Sequence, residues 1–577
     1  MMMTRLNSGL QYTEDEFSAL DIHFSKTLMG MVGTSDKALQ WLLRILSAES
    51  QRGNSSIPLK QGFSIIDTSQ SREFFSFDTL RQSLDNCALV GDGKTVTPIV
   101  VDNEGYCYLH RLWEAQEFLV KQIVFRSMPS VQLQNGQEAN DVAEQALQTV
   151  RQFGFSAITG GPGTGKTTLV SRILASLIQD APTIKIVVCA PTGKAAARLK
   201  QAIRQSKRNP DIVKAFSSQI LEHIPDDVVT VHKLLMPYRR RRARQSYEET
   251  LLPVDVLVVD EASMVDMALM SDLFSVVPAT AKIILVGDQH QLSSIEAGRF
   301  FKDVCRVQSD IQAATTNVRN NIVTLTHSYR FGKDSGIGRL AQAVNSGAVS
   351  ESMSVLMDNT ADDVRWIDTA KRDSLNQLIE MGKELYLPYW HAIDVEEKIA
   401  LFDRGRVLCA VNRGPFGVTR LNTQLANALQ VSTGMVPGNS AYYENRALLI
   451  TRNNYASMLF NGDTGMVFQS EEGAIHVAFS SGQQGVRLVP ISMLGEYQDA
   501  LSMTIHKSQG SEYGHAVIVL GSRVSPILSR ELLYTAVTRA QKRVTLFATE
   551  EVIRYCIEHS SERSSSLQER LKYYFTC

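Results

Sequence analysis

One stretch constrains this chain more than any other: Gly160, Gly161, Pro162, Gly163, Thr164, Gly165, Lys166, Thr167 and Thr168. It fits GxxxxGK[ST], a loop whose backbone N–H groups cradle nucleotide phosphates. The setting fits as well, because an apolar run precedes the loop at 155–158 and a helical pattern follows it at 169–177. Glycines let the backbone turn its N–H groups inward, where a Cβ would meet the phosphates. Lys166 can reach the β- and γ-phosphates of ATP, and Thr167 can offer its hydroxyl to Mg²⁺. Such a loop implies an α/β domain with a parallel sheet.

The acids that complete a P-loop site stand further on. An apolar run at 254–259 ends in Asp260 and Glu261. Asp260 is suited to holding Mg²⁺ through water, and Glu261 to orienting or deprotonating the attacking water. A further strand pattern at 282–286 ends in Gly-Asp-Gln-His-Gln, where Gln289 can sense a γ-phosphate. Alternating strands and helices predict a doubly wound parallel sheet for about 130–330. Arg330, in Ser-Tyr-Arg-Phe, and Arg539, in Thr-Arg-Ala, are candidate arginine fingers. Gln145, fifteen residues before Gly160, is a candidate reader of adenine.

Other motifs point to a polyanion. A strand pattern at 184–189 runs into Thr192, Gly193 and Lys194, which places them at the carboxyl edge of the sheet, where ligands collect. His232 lies in Thr-Val-His-Lys, followed by Arg239–Arg242 and Arg244, read as a small basic hairpin at about 237–252. Thr504, His506 and Lys507, in Met-Thr-Ile-His-Lys-Ser-Gln-Gly, complete the candidate nucleic-acid contacts, with Glu512 lining the cleft. With a formal net charge of −1, any polyanion must be met by local surfaces and not by the whole molecule.

At 577 residues the chain calls for several domains. Residues 1–125 carry no site chemistry and read as a small docking domain, with a helical pattern around Leu42–Leu46 and a hairpin at 97–109. A first core is expected at 126–335 and a second at 336–577. Short runs between about 432 and 500 predict a small antiparallel barrel inserted into the second. The serine-rich tail from Ser560 reads as mobile. The start lacks the apolar core of a signal peptide, and no run approaches the roughly 20 apolar residues of a membrane span, so a cytoplasmic protein is expected. The seven scattered cysteines include no CxxC pair and read mostly as buried thiols.

GGPGTGKTT, APTGKAAARL, VVDEAS, GDQHQL, SYRF, MTIHKSQGSEY and LYTAVTRA, in this order, resemble superfamily 1 helicases that move 5′ to 3′. Within that group, SYRFGKDSGIG, LCAVNRGPFGV and LFNGDTG are similar to the alpha (RecD) subunits of exodeoxyribonuclease V. The resemblance implies two RecA-like P-loop NTPase cores, an SH3-like barrel inserted in the second, and an N-terminal domain that docks on a partner. It implies an ATP- and Mg²⁺-dependent motor acting on single- and double-stranded DNA in a heterotrimer with the beta and gamma subunits, RecB and RecC. The nuclease centre of such a complex belongs to the beta subunit, in line with the lack of a second acidic cluster here. Two other readings stay open at this stage: a stand-alone helicase of the same superfamily, and a regulatory subunit switched by nucleotide.

Overall fold

The computed structural model describes residues 10–67, 71–85, 87–128, 141–243, 251–294, 296–310, 321–332, 335–358, 361–436, 442–454, 456–470, 473–480, 485–561 and 563–576. Two parallel sheets carry the molecule. The first runs Val228–Thr230, Ile186–Ala190, Val256–Val259, Lys282–Gly287, Phe155–Gly160, Ile322–Leu325 in space. All of its ladders are parallel. The central strands are buried on both faces, as their unbroken Val/Ile/Leu runs require when helices cover a sheet on both sides. Side chains such as Leu257, Val259 and Ile283 enter one hydrophobic core, and Val256, Val258 and Ile284 enter the other.

The second sheet has the order Val364–Ile367, Ala540–Ala548, Tyr513–Gly521, Gly405–Cys409, Ser502–Thr504, again parallel throughout. Between Cys409 and Ser502 the chain leaves this sheet and forms a five-stranded antiparallel one, ordered Val486–Pro490, Ile475–Ser480, Thr464–Gln469, Ala447–Ile450, Tyr497–Asp499. Leu448, Ile450, Val467, Val477 and Phe479 give the insertion its own small core. Its alternate residues, Ala447, Leu449, Met466 and Ala478, pack into the second parallel domain, the two-residue period of a sheet buried on both faces.

The N-terminal part holds two small sheets around the amphipathic helix Lys37–Gln51. The expected hairpin is the antiparallel pair Ile99–Val101 and Tyr106–Leu109. The helix that follows, His110–Arg126, packs against the first parallel domain, since Leu112, Leu119, Val120 and Ile123 share a core with Phe155 and Leu273.

Two expectations need correction. Residues 237–243 are not one arm of a hairpin; they continue the helix Val231–Ala243, with Pro237 inside it. Leu235 is buried and anchors that helix, and arginine is a good helix former. The side chains of Arg239–Arg242, and Arg244 and Tyr247 altogether, lie outside the described residues. Nor is the tail a loose end. Leu567–Thr576 is a helix that seats Leu567 and Leu571 at 0% and 1% exposure in the core of the first parallel domain. The polar run at 560–566 before Leu567 hid two apolar residues at helical spacing. Cys107, Cys189, Cys305, Cys409 and Cys556 are buried. Among the described residues no helix is long and apolar enough to cross a membrane.

Candidate active site between two cores

The P-loop joins the central strand Phe155–Gly160 to the helix Lys166–Asp180. Gly163 and Gly165 have φ of +73° and +81°, values that favour glycine, and Gly165 caps the helix N-terminus. That terminus aims backbone N–H groups and the positive end of the helix dipole at the loop, which suits an anion. Lys166 Nζ donates to the carbonyls of Gly160 and Gly161, each at 2.8 Å, and the Thr164 hydroxyl donates to the Gly161 carbonyl at 2.9 Å. Thr167 is half-buried and Thr168 is exposed.

Asp260 and Glu261 follow the strand Val256–Val259, two places along the sheet from the P-loop strand. Burial, and then the adjacent Glu261, push the Asp260 carboxyl up to about 6. Glu261 has φ of +51°, a left-handed conformation that costs a non-glycine residue roughly 1–3 kcal/mol and is characteristic of functional sites. Gln289 is half-buried, and its backbone N–H donates to the Thr159 hydroxyl at 3.3 Å. Gln145 lies on the exposed side of the helix Val142–Gln152.

Both arginines sit at the junction of the cores. The segment after the strand Ile322–Leu325 folds onto the P-loop: Tyr329 N–H donates to the Gly163 carbonyl at 2.8 Å, and the Ser328 hydroxyl donates to the Pro162 carbonyl at 3.2 Å. This brings Arg330 over Gly163 so closely that a Cβ there would lie 2.3 Å from Arg330 Cβ. Arg330 Nη2 donates to both oxygens of Glu512 at 2.7 Å. Arg539, 2% exposed, donates from Nη1 to the Ser511 carbonyl at 3.0 Å and from Nε to the Thr535 carbonyl at 3.1 Å. Burial lowers its affinity for a proton, while Glu261 and Glu512 oppose that shift.

The helix Arg530–Val537 of the second core lies along this seam. The Tyr534 hydroxyl donates to Asp288 Oδ2 at 3.2 Å, Leu292 N–H donates to the Thr535 hydroxyl at 2.9 Å, and Gln509 Nε2 donates to the Leu292 carbonyl at 2.8 Å. At its start Lys302 Nζ meets Glu531 Oε1 at 2.7 Å, with both side chains under 10% exposed. Sequence reading passed over Arg198, Glu531 and Tyr534. They lie within recognised motifs, but only the packing of one core on the other gives them partners.

Of the candidate nucleic-acid residues, Gly193 and Lys194 reach the second core. Thr192 caps the helix Gly193–Ser206 by accepting from Ala195 N–H at 3.2 Å. Gly193 abuts Phe460 of the antiparallel insertion, where a Cβ would come within 2.5 Å of the ring's own Cβ. Lys194 Nζ stands 5.7 Å from the centre of the Tyr513 ring. Lys507 Nζ donates to Gln498 Oε1 at 2.9 Å, and burial lowers the proton affinity of His506. His232 is exposed at the start of its helix. Thr504 is 8% exposed, and its hydroxyl accepts from Lys507 N–H at 3.4 Å. It shapes the turn that carries Lys507.

Comparison with known proteins matches this arrangement part by part. Residues 13–108 match the N-terminal domain of the RecBCD enzyme subunit RecD, residues 132–369 an AAA domain, and residues 499–547 a UvrD-like helicase C-terminal domain. The chain is 35% identical over 440 residues to the RecBCD enzyme subunit RecD of Mycolicibacterium smegmatis, covering 74% of each protein. It is 33% identical over 478 residues to the same subunit of Haemophilus influenzae, covering 76% of this chain and 73% of that one. Against the ATP-dependent RecD2 DNA helicase of Deinococcus radiodurans, identity is 29% over 431 residues, covering 72% of this chain and 50% of that protein. A P-loop core, a helicase C-terminal core and a matching N-terminal domain, in one order and at this identity, place the chain in the family of the RecBCD enzyme subunit RecD.

Proposed function

We propose that this chain is an ATP-driven DNA helicase that moves 5′ to 3′ along one strand, working in the cytoplasm as a motor of exodeoxyribonuclease V with RecB and RecC. Its task there is to open double-stranded DNA ends for recombinational break repair and for degradation of linear DNA. The observation that carries this reading is the seating of Arg330 on Gly163 while its guanidinium is held by Glu512 of the second core. A nucleotide held by the loop would then touch both cores, so hydrolysis can move one against the other.

The residues present fit Mg²⁺ and ATP. Glycines at positive φ form the cradle, a helix N-terminus faces it, and a paired Asp260 and Glu261 stand nearby. Residues 160–168 would hold the phosphates, with Lys166 as the cation, while Thr167 and Asp260 would hold Mg²⁺. The bound metal and nucleotide supply a polarised γ-phosphoryl group and its free energy of hydrolysis. Glu261 orients the attacking water, and Gln289 responds to the γ-phosphate. Arg330 and Arg539 offer charge to the transition state from the cleft wall. Gln145 is the candidate adenine contact. Thr192, Gly193, Lys194 and His232 of the first core and Thr504, His506 and Lys507 of the second are the candidate DNA contacts, so that a strand is gripped by each core in turn. The insertion is read as SH3-like and the N-terminal domain as the surface that meets RecC.

Unwinding of duplexes with a 5′ or a 3′ single-stranded overhang tests the proposal. The 5′ overhang is expected to be opened, and Lys166→Gln to abolish opening by this subunit. Preference for the 3′ overhang, or unwinding that survives Lys166→Gln in the isolated chain, overturns it.

A further inference from the structure

Glu512 lines the cleft and holds Arg330, and further side chains converge on it. Arg330 donates to both of its oxygens, Arg198 of the helix Gly193–Ser206 pairs with Oε2, and Gln541 Nε2 donates to the same oxygen at 3.1 Å. The carbonyl of the preceding residue, Ser511, holds Arg539. Burial alone would raise the Glu512 carboxyl, but Arg198 and Arg330 hold it down at about 2. One carboxylate of the second core thus answers two guanidinium groups of the first. Arg330 Nη1, in contrast, is buried and has no hydrogen-bond partner among the described residues.

A buried donor left unpaired costs free energy unless something accepts from it. The P-loop backbone lies directly beneath Arg330 Cβ. We infer that Glu512 is a positioning residue for hydrolysis, an internal counter-anion that fixes one nitrogen of Arg330 and leaves the other to a nucleotide phosphate. The inference rests on reading Arg330 as a finger. It has two opposed consequences. Holding Arg330 in place prepays its ordering and so raises the rate of the chemical step. A carboxylate beside the phosphates also repels them, and so weakens nucleotide binding.

Those consequences separate positioning from mere structural support. In the full-length chain, Glu512→Gln is expected to lower kcat of DNA-stimulated ATP hydrolysis about tenfold or more, while KM for ATP falls about threefold or more. Unchanged kcat, or a KM that stays level or rises, overturns the inference. If Glu512→Gln does not fold, Glu512→Asp decides the matter. With the charge kept and the reach shortened, it should lower kcat and leave KM within about twofold of wild type; a higher KM overturns the inference. In an Arg330→Gln background, Glu512→Gln should lower kcat no further, because the group it positions is gone; a full additive loss counts against it. Lys166→Gln runs alongside. Hydrolysis that persists there overturns the function proposed above, whereas its loss beside wild-type behaviour of Glu512→Gln sinks this inference alone.

Discussion

Gly163 has two independent reasons to be glycine: a φ of +73° and a neighbouring Arg330 that leaves no room for a Cβ. Gly163→Ala is therefore expected to cut ATP hydrolysis at least about tenfold through displacement of Arg330. Thermal unfolding should fall only slightly, because the loop contributes little to either core. A steady-state assay together with a melting curve checks both halves. Glu261 is the opposite case, a side chain kept at φ +51° where glycine would be easier. Glu261→Gly should abolish hydrolysis and leave the melting temperature no lower than wild type, since relief of about 1 kcal/mol of backbone strain offsets the lost side chain. A clear drop in melting temperature would show that the strain argument is wrong. The motif pattern announces both residues, but the φ angles and the contact with Arg330 exist only once the chain is folded.

Among the elements, the helix Arg530–Val537 couples the cores. Along its length it presents Glu531 to Lys302, Tyr534 to Asp288 and Thr535 to Leu292 N–H. Lys302→Met leaves Glu531 buried with, among the described residues, the Ser560 hydroxyl and Ser561 N–H as its remaining partners, at a cost of about 3–5 kcal/mol. Adding Glu531→Leu should restore most of that loss, because two apolar side chains no longer bury an unpaired charge. Chemical denaturation of the single and double variants measures the difference; equal losses in both would show that the pair matters through packing instead. In sequence, LLYTAV is a plain apolar helix. Nothing in its periodicity names Lys302 or Asp288, more than two hundred positions away, as partners.

At the scale of the molecule, the C-terminal segment binds three regions together. Ser564 N–H and carbonyl engage Asn54 and Ser55 of the N-terminal part, Arg563 Nη1 donates to the Ser294 carbonyl at 2.6 Å, and Arg570 pairs with Glu117. Removing residues 560–577 exposes the sockets of Leu567 and Leu571 and strips Glu531 of two donors. The truncated chain should melt several degrees lower and be cut by protease within its first 128 residues; an unchanged melting curve and cleavage pattern would refute this. Acid should loosen the seam as well. Glu512 and Glu531 both lie near 2 in the folded chain, below their ordinary 4.5. Their contribution is therefore complete above about pH 4.5 and is lost as pH falls from there towards 2. Unfolding followed by tryptophan fluorescence should show stability declining across that window, and less steeply in a Glu531→Gln variant.

What the amino-acid order alone determined is local chemistry and its setting. The P-loop between a strand and a helix, the acid pair after an apolar run, the two arginines and the break in pattern at the insertion are each written within a few residues. Short-range sterics and two- or 3.6-residue periods suffice to read them. Tertiary structure decided which of these residues meet. It folded Ser328–Arg330 down on Gly160–Gly165, joined Arg198 to Glu512 from opposite cores, turned the basic run at 237–243 into helix, and drew the serine-rich tail back onto the first core. Those outcomes depend on contacts between residues hundreds of positions apart, whose free energy comes from shared burial and has no signature in a local window. The phosphate-binding loop is thus legible as a loop in the sequence, and as one wall of a two-walled cleft only in the fold.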